Sequence, residues 1–266
     1  MRIQRLGSQA HSHPQTAWLR WCLMLAVALN CLGKVASAED TAATATSRYE
    51  IRPGTREGLG KWYMGREIAN FMTHEGAPWL ERAEREDEEA PSKLLELLHL
   101  KPGNVVADVG AGSGYLSWRM GRIISPGGTV YANDIQKEML AILRTNTLAH
   151  GVTNIVPVLG TVEDPGLPAG KIDMAILVDV YHECDHPYEM VQAICRSLKP
   201  EGRLVFVEYR GEDPNVPIKL LHKMTEAQVR KEMANQPLTW VETLHDLPRQ
   251  HVIIFRKNET ATKPTS

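Results

Sequence analysis

Short apolar runs alternate with longer amphipathic stretches through the second half of the chain. The apolar runs have the length of strands and cover residues 105–109, 129–133, 154–159, 172–180 and 203–208. Segments of helical length lie between them at 116–124, 136–150 and 188–198. Because strands separated by helices pair in parallel and are buried on both faces, this alternation predicts a parallel sheet covered by helices.

The pattern changes near residue 225. Thr225 followed by Gln228 forms a capping box, which predicts a helix over 225–232. Two strand-like runs follow at 239–245 and 251–256, and the short segment between them predicts an antiparallel hairpin. We therefore expect an α/β fold: a Rossmann-like, doubly wound, mostly parallel seven-stranded sheet with a C-terminal antiparallel hairpin and helices on both faces.

The segment before the alternating region has a different composition. Residues 39–47 are rich in Thr, Ala and Ser and predict a flexible tether. The apolar spacing over residues 63–74 predicts a helix. Residues 81–89 hold six acids and two bases, a composition that indicates a solvated helix face or a linker.

Proline and glycine mark the start of the main domain. Pro91 opens a helix that ends before Pro102-Gly103. We expect a tether and helical cap over 39–90, the main domain over 91–258 and a disordered tail over 259–266.

The first 38 residues have the three parts of a secretory signal peptide. Three arginines precede an apolar run over 22–32, and a small-x-small pattern ends at Ala38. The run is shorter than the roughly 20 residues that a membrane span needs. We expect cleavage near Ala38 and export to the periplasm or the medium, which an uncleaved anchor would also produce. We expect no stable span in the mature chain.

Charge and cysteine content narrow the function classes further. The chain holds 30 Lys and Arg against 32 Asp and Glu, and four of the bases lie in the leader. The remainder is acidic, which argues against a nucleic-acid binder held by charge. The hydrophobic fraction of 43% is that of a folded domain. Only Cys184 and Cys195 follow the leader, and they either pair or remain buried thiols.

A glycine-rich turn joins the first strand of the alternating region to its helix. Gly110-x-Gly112-x-Gly114 follows the run 105–109, and glycines there permit a tight turn and close ligand approach. Asp134 ends the next strand, where a carboxylate can accept ribose hydroxyls. The third glycine comes one residue too early for the dinucleotide fingerprint, and no Walker lysine follows.

The stretch VVADVGAGSGYLS, with YANDI after it, resembles motif I and the second-strand acid of class I S-adenosylmethionine-dependent methyltransferases. The resemblance covers about residues 94–257 and implies S-adenosylmethionine as cofactor. It places the glycine loop on the methionine moiety, Asp134 on the ribose and Ile135 on the adenine. Thr161 stands where relatives carry an acid, so Glu163 or Asp164 would have to replace it. The cofactor residues implied in this way are Asp108, Gly110, Ala111, Gly112, Gly114, Asp134, Ile135, Val162, Glu163 and Asp179.

Residues that could act on an acceptor follow the fourth and fifth predicted strands. His182 is the first candidate for a base or an acceptor-orienting group, with Asp179 and Tyr181 beside it. A structural role for His182 is an equal alternative. After the fifth strand, basic side chains either hold an anionic acceptor or form a solvated rim. They are Arg210, Lys219, His222 and Lys223.

His182-Glu183-Cys184-Asp185-His186 also matches the zinc-peptidase pattern H-E-x-x-H. That site requires both histidines one turn apart on a helix. Here the first histidine ends a strand, Pro187 begins the next helix, and no third ligand follows, so the sequence predicts no metal site. Stoichiometric zinc that is lost in His186→Ala together with peptidase activity would contradict this prediction.

The leading functional prediction is methyl transfer to a small molecule by in-line displacement. One alternative is methylation of isoaspartyl residues in damaged proteins, which methyl uptake by an isoaspartyl peptide would reveal. The other is a non-catalytic exported protein that binds an adenosine ligand. Titration with S-adenosylmethionine and S-adenosylhomocysteine tests cofactor binding, and the sequence indicates no protein partner.

Overall fold

The computed structural model describes residues 48–259. The predicted signal peptide and the tether over 39–47 lie outside the described residues, as does the tail from residue 260 onward. Among the described residues, no helix is long and apolar enough to cross a membrane.

Residues 48–69 form a small antiparallel sheet of three strands, β1 (Tyr49–Ile51), β2 (Gly58–Tyr63) and β3 (Arg66–Ala69). The helix predicted over 63–74 is therefore wrong. Tyr63 pairs with Arg66 across a two-residue turn in which Met64 and Gly65 have φ angles of 48° and 97°. Two successive positive φ angles are characteristic of tight hairpin turns and are incompatible with a continuing helix.

Short helices connect this sheet to the main domain. They are the 3₁₀ helix His74–Gly76 and the α-helices α1 (Ala77–Leu80), α2 (Arg85–Glu89) and α3 (Pro91–Leu97). The predicted start of α3 at Pro91 is confirmed. The prediction of a solvated face for the charge run is wrong for Arg85 and Glu89, which are buried and paired at 2.8 Å.

The main sheet has seven strands in the order β6-β5-β4-β7-β8-β10-β9. The first five along the chain, β4 to β8, pair in parallel, and β10 runs antiparallel to both β8 and β9. This confirms the predicted fold, including the C-terminal hairpin. The strands are β4 (Val105–Val109), β5 (Thr129–Asp134), β6 (Ile155–Leu159), β7 (Ile172–Val178), β8 (Leu198–Tyr209), β9 (Leu238–Leu244) and β10 (Gln250–Lys257).

Helices cover both faces of this sheet. They are α4 (Tyr115–Ile123), α5 (Lys137–Ala149), α6 (Pro187–Ser197) and α7 (Glu226–Met233). One apolar cluster joins α6 and α7 to the sheet, and a second joins α3, α4 and α5 to it. Consecutive strand residues point to opposite faces, so Val205 lies in one cluster and Phe206 in the other. The predicted cap of α7 is confirmed, because the Thr225 hydroxyl accepts from the Gln228 amide at 3.0 Å.

Candidate active site

A cavity of about 780 Å³ lies at the carboxyl ends of β4, β5 and β7. Open α/β sheets bind their ligands at this edge, where successive strand ends point toward one crevice. Residues from β2, the segment after β3 and the loop after β8 form what we call the cover of the cavity. Its apolar side chains are Leu59, Phe71, Met72, Trp79, Pro217 and Ile218.

The glycine loop, residues 110–114, forms one wall of the cavity. Its backbone conformation and its close packing both require glycine. Gly110, Gly112 and Gly114 have φ angles of 73°, 54° and 82°, a left-handed region that other residues enter at a cost. A Cβ on Gly110 would lie 2.6 Å from the Val180 side chain, and one on Gly114 would lie 2.8 Å from Leu143. Gly110 and Gly112 line the cavity.

Asp134 lies at the end of β5 with its carboxylate held by backbone amides. Its Oδ2 accepts from the Gly112 amide at 3.0 Å and its Oδ1 from the Gln136 amide at 2.9 Å. Burial raises its pKa, and these hydrogen bonds oppose the rise. Each carboxylate oxygen has a second lone pair, so this residue can accept ribose hydroxyls in the cavity that it lines.

Asp179 follows β7 and offers a buried oxygen that has no partner. Its Oδ2 accepts from Gln250 Nε2 at 2.6 Å, but its Oδ1 has no hydrogen-bond partner in the described chain. Its φ angle of 54° is unusual for a residue other than glycine. Burial, with Glu89 and Glu208 nearby, raises its pKa well above the ordinary value. A ligand with a cationic donor would satisfy this oxygen.

The other residues predicted to bind the cofactor are divided between the cavity and its surroundings. Ile135 and Val162 line the cavity and are partly exposed. Four others do not line it: Asp108, Ala111, Gly114 and Glu163. Asp108 lies behind the loop, accepts from the Ser117 hydroxyl at 2.6 Å, and has its pKa raised to about 6 by burial.

His182 lines the cavity and is held by a buried carboxylate. It lies in the 3₁₀ helix Tyr181–Glu183, and its Nδ1 is 2.6 Å from Glu208 Oε2. Burial lowers the His182 pKa, but the charges of Glu208 and Glu183 and the hydrogen bond to Glu208 outweigh burial and raise it to about 10. An imidazole that already carries a proton at neutral pH orients or donates to an acceptor rather than removing a proton from it.

Tyr181 is placed away from the cavity. Its side chain is fully buried and its hydroxyl donates to Glu232 Oε2 at 2.7 Å. Arg66 of β3 donates to the same Glu232 at 2.7 Å and to the backbone carbonyl of His182 at 3.1 Å. Tyr181 and Arg66 therefore fix the segment that carries His182, and contact with an acceptor is left to other side chains.

The basic residues after β8 have different environments. Lys219 and His222 line the cavity, whereas Arg210 donates to the carbonyls of Leu247 and Gln250 and so holds the loop of the C-terminal hairpin. Lys223 donates to the Asp213 carbonyl at 3.2 Å.

The HECDH segment does not form a single helix. His182 lies in the 3₁₀ helix, whereas His186 is the residue before α6 and contacts Lys61 Nζ at 3.1 Å. This confirms the prediction that the two histidines do not share a helical turn. Cys184 and Cys195 are both free thiols.

The sequence analysis does not identify the three side chains that surround His182. They are Glu183, Glu208 and His222. His182 Nε2 lies 3.1 Å from His222 Nδ1, although 40 positions separate the two residues. Arg85 also lines the cavity, but the sequence analysis does not single it out from the charged residues 81–89. Its spacing of four residues from Glu89 is the one sequence signal for a helical ion pair there.

The chain is similar to known methyltransferases. Residues 107–206 match a family model described as a methyltransferase domain. The chain is 32% identical over 116 residues to the ubiquinone/menaquinone biosynthesis C-methyltransferase UbiE of Pseudomonas entomophila (strain L48), a match covering 43% of this chain and 45% of that protein. It is 30% identical over 123 residues to UbiE of Pseudomonas aeruginosa (strain LESB58), covering 46% and 48%. The matches thus span about half the length of these relatives.

Solved structures show the same fold. A SAM dependent methyltransferase from Aquifex aeolicus superposes with a TM-score of 0.66 at 20% identity, covering 70% of this chain and all of that one. The [4+2]-cyclase SpnF superposes with a TM-score of 0.54 at 15% identity, covering 62% and 81%. Because a cyclase shares the fold, the fold by itself does not assign the reaction.

Proposed function

This chain carries a class I S-adenosylmethionine-dependent methyltransferase domain, and on that premise we propose that it methylates a small, largely apolar acceptor bound in the cavity. The observation that carries the proposal is the cover, which encloses an apolar space directly over the strand ends that hold Asp134 and Asp179. Small-molecule sites are typically concave and apolar, with a few fixed polar groups. The UbiE relatives, named as C-methyltransferases of quinone biosynthesis, support a small-molecule acceptor.

The residues present fit the cofactor. S-adenosylmethionine, when bound, supplies a methyl group on a positively charged sulfur. Asp134 would hold the ribose hydroxyls, and the unpartnered Oδ1 of Asp179 would accept from the amino group of the methionine moiety. Ile135 and Val162 present apolar surface for the adenine. The chain thereby aligns donor and acceptor, and such alignment is the main contribution a protein makes to an in-line displacement.

The acceptor side is formed by apolar side chains around a few polar groups. Phe71, Trp79 and Ile218 line the cavity and would exclude water from the acceptor. His182, held by Glu208, supplies a fixed polar contact that would orient it. We expect acceptors that combine an apolar body with one hydroxyl, thiol or amino group.

Calorimetric titration of the folded protein with S-adenosylmethionine and S-adenosylhomocysteine tests cofactor use. We expect both to bind, and Asp134→Asn to weaken both by at least about tenfold, the worth of one hydrogen bond to a charged group. The matched control is Asp246→Asn, an exposed acid between β9 and β10. Binding of neither ligand by the native protein would end the enzyme proposal.

Transfer itself is tested by the release of S-adenosylhomocysteine with a panel of phenols, thiols, amines and an isoaspartyl peptide. We expect turnover with a small apolar acceptor. Turnover with the isoaspartyl peptide alone would favour protein repair, and cofactor binding without turnover on any acceptor would favour a binding protein.

We also propose that the protein is exported, on the basis of the leader pattern over residues 1–38. Mass spectrometry of the protein recovered from a periplasmic or culture fraction checks this proposal. A mature N-terminus near Glu39 is expected, whereas an intact leader on a protein confined to the cytoplasm would contradict it.

A further inference from the structure

Two histidines and one carboxylate converge on a single point in the wall of the cavity. His182 Nε2 lies 3.1 Å from His222 Nδ1, His222 Nδ1 lies 3.3 Å from Glu183 Oε1, and the third distance, between His182 Nε2 and Glu183 Oε1, is 3.7 Å. We propose that these three atoms bind one divalent transition-metal ion of the zinc type.

The ligand chemistry and the spacing both suit such an ion. Zinc is bound by imidazole nitrogens and carboxylate oxygens at about 2.0–2.1 Å, which places the ligands of a tetrahedral site roughly 3.3 Å apart. The three observed separations bracket that value. Two imidazoles with one carboxylate also leave a coordination position open, as catalytic sites do and closed structural sites do not.

A second layer of hydrogen bonds orients two of the three ligands. Glu208 Oε2 contacts His182 Nδ1 at 2.6 Å, and Glu208 Oε1 accepts from the Tyr181 amide at 2.9 Å. Binding of the ion would displace the proton that His182 Nε2 carries at neutral pH, because metal ligands bind in the deprotonated form. The Nδ1–H would still donate to Glu208, and metal-binding histidines are commonly held in this way.

The carboxylate ligand is oriented by the backbone. Glu183 Oε2 accepts from the Met72 amide at 3.2 Å, so Oε1 is the oxygen that faces the two histidines. Met72 belongs to the cover, which ties this ligand to the segment that closes the cavity.

This site differs from the one that the HECDH sequence suggests. The second histidine is His222, from the 3₁₀ helix Leu220–His222 after β8, and His186 takes no part. The sequence predicts no metal because it offers no third ligand near His186, whereas folding supplies one from a different loop. The helical zinc-peptidase geometry is absent from this segment of the described chain.

The position of the site bears on the acceptor. Glu183, His182 and His222 all line the cavity, so a bound ion would present its open position to that space. An acceptor hydroxyl or thiol is the group that would occupy it. This last consequence rests on the proposed methyl transfer, whereas the binding of the ion does not.

The test is calorimetric titration of the full chain, stripped of metal and of any affinity tag, with zinc chloride in the absence of cofactor. We expect one ion per chain and at least a tenfold loss of affinity in His222→Ala. His222 is partly exposed in a loop, so this variant should keep its fold. His222→Cys should restore binding, because a thiolate is also a zinc ligand.

Two histidine variants serve as controls and should bind zinc as the native chain does. His245→Ala removes an exposed histidine between β9 and β10, and His186→Ala removes the second histidine of HECDH. Absence of stoichiometric zinc, unchanged affinity in His222→Ala, or loss of zinc in His186→Ala would overturn the site.

Titration of the same samples with S-adenosylhomocysteine separates the two proposals. Binding of S-adenosylhomocysteine without zinc would refute the metal site and leave the proposed function standing. Binding of zinc without S-adenosylhomocysteine would support the metal site and refute the proposed function.

Discussion

Glu208 at the end of β8 contacts the Nδ1 of His182 at 2.6 Å, and both side chains are almost entirely buried. The same carboxylate accepts from the Tyr181 amide. One side chain from the fifth parallel strand therefore fixes both the backbone and the imidazole of the segment that follows the fourth. This explains how a short 3₁₀ helix at the cavity wall holds a defined geometry without belonging to a longer element.

Removing Glu208 should therefore destabilise the whole domain. We expect Glu208→Ala to lower the free energy of unfolding by about 3–5 kcal/mol, because it removes the buried carboxylate that pairs with His182 and accepts from the Tyr181 amide. Urea unfolding followed by circular dichroism measures the change. The control is Glu96→Ala, which removes an exposed pair with Lys93 on α3 and should cost less than about 1 kcal/mol. Equal effects of the two substitutions would contradict this account.

Ala90, between α2 and α3, adopts a conformation better suited to glycine, with φ 50° and ψ 55°. A residue with a Cβ in the left-handed region is destabilised by roughly 1–2 kcal/mol. Glycine avoids this strain but loses more backbone entropy on folding, which offsets part of the gain. We expect Ala90→Gly to raise the free energy of unfolding by about 0.5–1 kcal/mol. Ala141→Gly, at an exposed position inside α5, should lower it by about 1 kcal/mol. A fall in stability for both variants would show that the Ala90 backbone is not strained.

Much of the main domain follows from the sequence because its strands are buried on both faces. Mostly apolar runs such as Val105–Val109 and Ile172–Val178 are typical of central parallel strands, and glycine or proline marks many of their ends. The hairpin of β2 and β3 was missed because its apolar positions also fit a helix. The better signal was Gly65, at which the chain reverses.

The sequence locates Gly110, Gly112 and Asp134 at the cavity, but it does not locate the partners of His182, for a physical reason. Gly110, Gly112 and Asp134 lie at strand ends within one local motif, so their spacing carries the information. Glu208 and His222 reach His182 from 26 and 40 positions away, and only the packing of β8 and its loop on β7 brings them together. The interpretation of the charge run as solvated failed for a similar reason, since Glu89 is buried and accepts from the hydroxyl of Tyr209, which lies 120 positions away, at 2.6 Å.

Asp108 should make stability depend on pH. Burial raises its pKa from an ordinary value of 3.8 to about 6, so the folded state favours the neutral acid. The stability that this group contributes is complete below pH 3.8 and is lost as the pH rises through about 6.

Between pH 5 and pH 8 we expect the native chain to lose about 1–2 kcal/mol more stability than Asp108→Asn, which cannot ionise. Urea unfolding of both proteins across this range provides the measurement. If the stability of the two proteins changes in parallel with pH, then the pKa of the Asp108 carboxyl is not raised in the folded state.

Asp134 and Asp179 should recognise different parts of the cofactor. The Asp179 Oδ1 has no partner in the protein and suits a cationic amino group, whereas Asp134 at the end of β5 suits ribose hydroxyls. 5′-Methylthioadenosine has the ribose and the adenine but lacks the amino-acid part of S-adenosylhomocysteine. Calorimetric titration with both ligands therefore tests each carboxylate separately.

We expect Asp179→Asn to lower the affinity for S-adenosylhomocysteine by at least about tenfold, because this ligand offers a cationic donor. The affinity for 5′-methylthioadenosine, which has no such donor, should stay nearly unchanged. Asp134→Asn should lower the affinity for both ligands by similar factors. Asp246→Asn, at an exposed position, should lower the affinity for neither. If Asp179→Asn lowers the affinity for both ligands equally, then Asp179 does not contact the amino group of the cofactor and acts through another part of the site or through folding. An amine on the acceptor would then be the alternative donor to its unpartnered oxygen.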